Sequence, residues 1–224
     1  DRIVRKSEVV YMERTPLIQN YVDRISRPPI PPLCYGFTNS TCEMGYYLTY
    51  DYSDSSEPMD LKDLRRDEPN PTLFNVMVWL QRQSRWLRER SFRATWAVSG
   101  KPETTLRSRR LLLWDGAPRA FDDLMLQKYF VPVNRFTEFA QRAGSVFRSA
   151  QNQVLLLLNH FRYVPGNDAS VLSFAVKDSI CMIPCYLANK NSSAWLQTLK
   201  SVTQDLIAIA LDLGGSFYIT FDSI

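Results

Sequence analysis

The chain has 224 residues, of which 45% are hydrophobic and 22% charged, and its net charge is +4. That balance supports a folded domain with a sizeable core and excludes a disordered chain. No apolar run approaches the ~20 residues that a bilayer span requires, and the mild basic excess does not by itself demand a nucleic-acid partner.

Taken in chain order, Ile3 to Met12 alternates apolar and polar residues like a strand, and Pro16 to Ile25 reads as a short helix with proline in its first turn. Pro32 to Phe37 and Tyr46 to Tyr52 read as two further strands joined by a polar turn. Residues 53 to 72 are polar and punctuated by proline, as in a loop. Leu73 to Phe92 follows as a helix, and Lys101 to Arg119 is irregular and basic.

From Leu124 the pattern sharpens. Met125, Gln127, Tyr129 and Val131 share one face of a strand, with Leu126, Lys128 and Phe130 on the other, and Pro132 ends the pairing. Asn134 is the expected N-cap of a helix whose buried stripe is Phe136, Phe139, Ala140, Ala143 and Phe147. Val154 to Leu158, continued by Phe161 to Val164, reads as a central strand that ends at the turn Pro165-Gly166-Asn167-Asp168. Leu172 to Leu187 is expected as the next strand, with Pro184 demoting its end to an edge or a bulge. Asn191-Ser192-Ser193 can cap a last helix with the stripe Trp195, Leu199, Val202, Leu206, Ile209 and Ala210, which Gly214-Gly215 stops before a strand from Phe217 to Phe221.

This order, strand-helix-strand-strand-helix-strand, is the split β-α-β unit, so the expected class is α+β: an antiparallel sheet with helices on one face, ferredoxin-like in the C-terminal half. Residues 1–52 repeat the rhythm as a first β-α-β-β half. Residues 53–120 form a polar loop, a basic helix and a linker, and residues 121–224 form the second half. The two halves are expected to build one continuous sheet in a single domain. The chain begins with Asp rather than Met, which a cleaved presequence and a truncated chain explain equally well.

Chemical motifs are sparse. There is no GxSxG elbow, P-loop or HExxH, so no catalytic residue is assigned. Asp122 and Asp123 are neighbours on a strand entrance and would point to opposite faces. Lys177 and Asp178 interrupt an apolar strand in the manner of edge protection. The cysteines Cys34, Cys42, Cys181 and Cys185 and the lone His160 do not make a metal set. Buried thiols in a reducing intracellular compartment are the better reading, and the sequons at Asn39 and Asn191 are read as chance. Arg162 lies within an apolar strand and, if buried, needs a carboxylate or a ligand; structural pairing is the commoner case.

Charge is concentrated at Arg82, Arg85, Arg88, Arg90 and Arg93, among Trp79, Trp86 and Trp96, with Arg107, Arg109 and Arg110 following. The bland reading is a solvated helix face whose arginines suit its C-terminal dipole. The functional one makes Arg82, Arg85, Trp86, Arg88, Arg90 and Arg93 a docking surface for an acidic protein or anionic lipid headgroups. No nucleic-acid motif accompanies the charge.

The phrases LMLQKYFVPVNRF, LLLLNHFRYVPGNDASVLSFAVKDSICMIPCYL and LIAIALDLGGSFYI resemble, in order and spacing, the cap domain of FAD-linked oxidases of the vanillyl-alcohol oxidase type, which include sugar-lactone and alditol oxidases. Gln127, Tyr129, Phe130, Val131 and Pro132 match that family's QEYFVP strand. Asn159, Arg162, Tyr163, Val164 and Pro165 match LLNVTVRYVP, and Asp168, Leu172, Ser173 and Asp178 match the strand after it. Gly214, Gly215 and Tyr218 match the closing LGGxYYLP. The first half resembles such caps more weakly, in EVVYMERTPL and GYYLTYDY. Lys128 stands where the family usually has Glu.

In such enzymes a separate N-terminal domain holds the flavin in Gly-rich loops, whereas the 8 glycines here form no such run. The family's closing segment has no counterpart after Asp222-Ser223-Ile224. The resemblance therefore implies a cap without its cofactor: a non-catalytic accessory subunit of a larger protein assembly. A plant member of the family is mitochondrial and accompanies assembly of respiratory complex I, which implies a mitochondrial, respiratory-type setting. The alternative is a split oxidase, in which a partner chain supplies FAD and Tyr129, Asn159 and Arg162 face the substrate. A third reading makes the sequence part of a longer enzyme.

Overall fold

A computed structural model describes residues 3–13, 16–52, 79, 81, 84–99, 107–108, 124–169, 173–189 and 191–219. Its elements are β1 (Ile3–Glu13), α1 (Pro16–Ser26), β2 (Leu33–Thr38), β3 (Met44–Tyr52), α2 (Arg85–Ser99), β4 (Arg107–Ser108), β5 (Leu124–Pro132), α3 (Phe136–Ala150), β6 (Leu156–Val164), β7 (Ser179–Leu187), α4 (Ser193–Asp212) and β8 (Ser216–Ile219). The fold is α+β with antiparallel strands, as the periodicities require. The chain divides into two compact units: residues 1–10, 31–34 and 48–122, and residues 11–30, 35–47 and 123–224.

In the first unit β1 pairs with β4, Ile3 opposite Ser108. The helix expected over Leu73 to Phe92 is placed differently where it is described. Residues 79 and 81 are helical, but Ser84 breaks the run and starts α2 afresh. The Ser84 hydroxyl accepts from Leu87 N at 3.1 Å, an N-cap that satisfies one of the orphan amides of the first turn.

In the second unit the strand order is β3-β2-β6-β7-β5-β8, so the four C-terminal strands take the ferredoxin-like arrangement. α1, α3 and α4 cover one face. Tyr21 of α1 meets Phe161 of β6 edge-on at 4.7 Å, and Phe139 of α3 lies 6.0 Å from Tyr129 of β5. Thr203 of α4 bonds Gln127 of β5 at 2.7 Å. The stripes on α3 and α4 are buried as the helical spacing requires. Gly36 is needed where Phe161 crosses β2, because a Cβ there would stand 2.4 Å from the ring.

Several local expectations are corrected. β7 begins at Ser179, not Leu172; the preceding residues fold back, with Asn167 N donating to Ala175 O at 2.8 Å and the Asp178 carboxylate accepting from Gly166 N at 2.8 Å. Lys177 and Asp178 thus precede the strand rather than interrupt it, and Asp178 ties down the turn. Pro184 does not mark an edge, since β7 lies between β6 and β5. Pairing with β5 runs from Leu124/Leu187 to Leu126/Cys185 and resumes at Tyr129/Met182. The proline, which lacks an N–H, opens that ladder locally while both neighbours hold the strand.

Asn134 does not cap α3. It sits in a 3-10 turn, Val133–Arg135, and α3 starts after Arg135 with no side-chain cap; an Arg135–Glu138 ion pair at 2.8 Å braces the first turn instead. At α4 the expected cap is present: Ser192 Oγ accepts from Trp195 N at 3.2 Å. The helix ends at Asp212, and past it Gly214 takes φ +73° and Gly215 N donates to Ala210 O at 2.8 Å.

Candidate functional site: two faces of one sheet

Residues directly opposite in antiparallel strands share a face, and the register arranges the face of the second unit opposite α1, α3 and α4 as two rows. Phe37, His160, Ile183, Lys128 and Tyr218 form one row across β2, β6, β7, β5 and β8; Tyr35, Arg162, Cys181, Phe130 and Ser216 form the next. Lys128 falls beside Ile183 because Leu126/Cys185 and Tyr129/Met182 bracket them. The segment from Ser173 to Asp178 roofs part of this face. Ala175 packs with Phe130, Cys181 and Ile183, and Phe174 stacks on Phe130 at 5.7 Å and meets Tyr218 at 4.8 Å. Ser216 Oγ donates to Phe174 O and holds that segment to the β8 edge.

Lys128 and Arg162 are half-buried here, and among the described residues neither has a carboxylate partner. Lys128 Nζ stands over the Tyr218 ring at 5.9 Å. Both cations act on the Cys181 thiol, yet burial dominates and pushes it up to about 11, so it is no reactive thiolate. His160 stacks on Phe37 at 4.9 Å, and among the described residues its buried Nε2 finds no hydrogen-bond partner. Burial, then Arg162, lowers the His160 pKa to about 3, so the ring is neutral at physiological pH. Phe174, Val176 and Tyr218 at this edge are 48%, 64% and 41% exposed.

The helix-covered face is a sealed polar network. Tyr129 Oη donates to Gln127 Oε1 at 2.6 Å, Gln127 Nε2 to Thr203 Oγ1 at 2.7 Å, and Thr203 Oγ1 to Leu199 O at 2.8 Å. Burial raises the pKa of the Tyr129 phenol. Asn159 Nδ2 donates to Asn39 O at 3.1 Å, Thr38 Oγ1 at 3.3 Å and Cys42 Sγ at 3.4 Å, tying β6 to the 38–43 turn. In that turn Asn39 Oδ1 accepts from Glu43 N at 3.0 Å, so the sequon asparagine is consumed in the core. Of the three residues expected to face a substrate, Tyr129 and Asn159 lie on this enclosed face and only Arg162 on the other. The three do not converge.

On α2 the arginines stand at the wrong end for the dipole argument. Arg85 and Arg88 occupy the first turn after Ser84, where the helix end is positive, and no basic residue lies in the last turn. The correction follows from the cap, which moves the helix start to the middle of the charge cluster. Trp86 is 60% exposed with the Arg90 guanidinium 4.7 Å over its ring, and Arg93 is exposed too. Arg85 pairs with Glu89 at 3.0 Å, and Arg88 donates to Gln81 O at 3.0 Å. Arg82, Asp122 and Asp123 lie outside the described residues.

Among the described residues no cluster of His, Cys, Asp or Glu could hold a metal, no disulfide links the four cysteines, and no helix is long and apolar enough to cross a membrane. A dinucleotide cradle needs glycines whose open side admits a phosphate. At Gly36, Gly45, Gly144, Gly166 and Gly215 that side is filled by the chain itself, and Gly214 serves the α4 terminus. The described glycines do not fit a flavin dinucleotide.

No family model and no curated protein matches the chain. Among solved structures it is similar to a solvent-stable cholesterol oxidase, at 9% identity and a TM-score of 0.50, over 96% of this chain and 47% of that one. It is also similar to berberine bridge enzyme: a variant in complex with (S)-reticuline (9% identity, TM-score 0.40, 93% and 41% covered) and a variant described as a reticuline dehydrogenase (11%, 0.38, 91% and 40%). The chain thus spans about half the length of the cholesterol oxidase. The resemblance to FAD-linked oxidases holds at the level of fold.

Proposed function

We propose that this chain acts as a non-catalytic accessory subunit of a larger protein assembly, built on the cap fold of an FAD-linked oxidase, with the sheet face opposite α1, α3 and α4 as its docking surface. The observation that carries this reading is the half-buried pair Lys128 and Arg162, without a carboxylate among the described residues, beside exposed Phe174, Val176 and Tyr218. Exposed apolar side chains gain by being covered, and a partner that also supplies an acceptor offsets the cost of desolvating the cations further. The arginines at the N-terminal end of α2 add support: they oppose the helix dipole, so helix stability does not explain them. The family resemblance is what supports a mitochondrial respiratory-type setting for that assembly. An anionic lipid surface is the second candidate for α2. Native mass measurement of the tagged chain from cells should find it in stoichiometric complex with other polypeptides; recovery as a stable monomer overturns the proposal.

Arg162 and the likeness to a cholesterol oxidase favour one other reading, a split oxidase whose flavin is supplied by a partner chain. In it the cap face carrying Arg162 lies over the substrate. Flavin absorbance in the purified complex, lost when this chain is removed, supports it, and a colourless complex eliminates it.

A further inference from the structure

We infer that the outer edge of β8 receives an extended segment of the docked polypeptide as a further strand of the sheet; this rests on the docking reading above. Among the described residues β8 ends the strand order and pairs only with β5. Every second residue of Ser216–Ile219 therefore directs its backbone N–H and C=O outward, away from the ladder. Edge strands that stay solitary carry charges, prolines or bulges. Ser-Phe-Tyr-Ile has neither charge nor proline, and its register with β5 is unbroken.

Exposed apolar side chains lie on both faces of this edge. The register sets Tyr218 opposite Lys128, on the face where Phe174 meets it, and Phe217 opposite Tyr129, on the face that the helices cover. Phe217 is 37% exposed, and Leu211, in the last turn of α4 leading into β8, is 53% exposed. A body resting on one face covers only one of these two sets. A strand in the plane of the sheet covers both, because its side chains alternate between faces. It also supplies the row of backbone donors and acceptors that an edge pairs with.

Area argues against a second copy of this chain as the occupant. Phe174, Val176, Leu211, Phe217 and Tyr218 present roughly 500 Å² between them, so β8 paired with its own copy would bury about 1,000 Å² from this patch, below the ~1,600 Å² of standard interfaces. A segment of another polypeptide escapes that limit, since the rest of its chain lies on the adjoining sheet face.

The test places a photoreactive benzophenone residue at Phe217 and, separately, at Tyr218 of the chain in its intact native complex, followed by peptide mass analysis. Both positions should couple to one stretch of one partner polypeptide, at sites within about three residues of each other, because neighbours on a strand are only ~3.3 Å apart along it. Phe217→Lys, a charge at the edge, should cut the recovered complex at least ~10-fold and leave the circular dichroism of the chain unchanged. Coupling from one position alone, from neither, to distant stretches or to a second copy overturns the added strand and leaves docking standing. A complex that tolerates Phe217→Lys does the same. A chain isolated only as a monomer overturns both.

Discussion

Asn159 gives the sharpest test of which sheet face is enclosed. Its residue is 0% exposed, its amide NH2 makes all three of its hydrogen bonds toward the 38–42 turn, and its Oδ1 has no partner. Asn159→Leu removes the donors to Asn39 O, Thr38 Oγ1 and Cys42 Sγ, although Asn39 O keeps its bond from Cys42 N at 3.2 Å, and it also removes the unpartnered Oδ1, which offsets part of the loss. The expected net loss is about 1 kcal/mol. Asn159→Asp instead turns a buried carboxylate oxygen toward the Asn39 carbonyl, with only the neutral Thr38 hydroxyl and Cys42 thiol in reach and no cation, which should cost about 3–5 kcal/mol at neutral pH. The folded-state pKa of such an Asp lies above the unfolded value of about 3.9. Its deficit is therefore small below that unfolded value and grows as pH rises through the folded pKa. Urea unfolding followed by circular dichroism at acid and neutral pH, with the Leu variant as reference, measures the difference. Equal stability of the two variants at neutral pH would refute the enclosed placement and return Asn159 to an accessible surface.

Thr203→Val leaves Gln127 Nε2 without its acceptor across the β5–α4 contact and should lower stability by about 1–3 kcal/mol; in Tyr129→Phe/Thr203→Val double variants the losses should be non-additive, because both act on Gln127. His160 has a folded pKa depressed to about 3, so the unfolded chain binds the extra proton. Stability should rise with pH between that value and about 6.5, with a slope of at most about 1.4 kcal/mol per pH unit. His160→Phe should flatten that slope in unfolding titrations. Gly214→Ala meets no neighbour but must hold φ +73°, for a loss of about 1 kcal/mol. Gly215→Ala places a Cβ 2.3 Å from Phe130 O and should cost distinctly more in thermal unfolding. Equal losses at the two glycines would contradict the packing of α4 against β5.

Much of the second unit was legible from local pattern. Alternation assigned both faces of β5 correctly, since period-2 side chains leave no other choice once one face is apolar. The stripes of α3 and α4 and the Gly214 terminus were equally plain. What misled was chemistry that local pattern cannot weigh. Pro184 reads as the sign of an edge or a bulge; the ladder is interrupted beside it, but β7 is no edge, because neighbours on both sides outweigh one missing donor. Asn134 reads as a cap, but the chain enters α3 through a 3-10 turn. Ser84, inside an apparently continuous helix, was the overlooked signal that moved the arginines to the opposite helix end.

The amino-acid order alone determined the α+β class and the helix stripes, because these follow from side-chain periodicity along one strand or helix. Only tertiary structure decided what each polar residue faces. Asn159, His160 and Arg162 are near neighbours on β6, yet strand pleating sends Asn159 into the helix-covered core and leaves His160 and Arg162 beside Lys128 on the other face. The grouping of Arg162 with Lys128 depends on the order in which distant strands pair, and strand order arises from burial of whole faces, a long-range free energy that no local window contains.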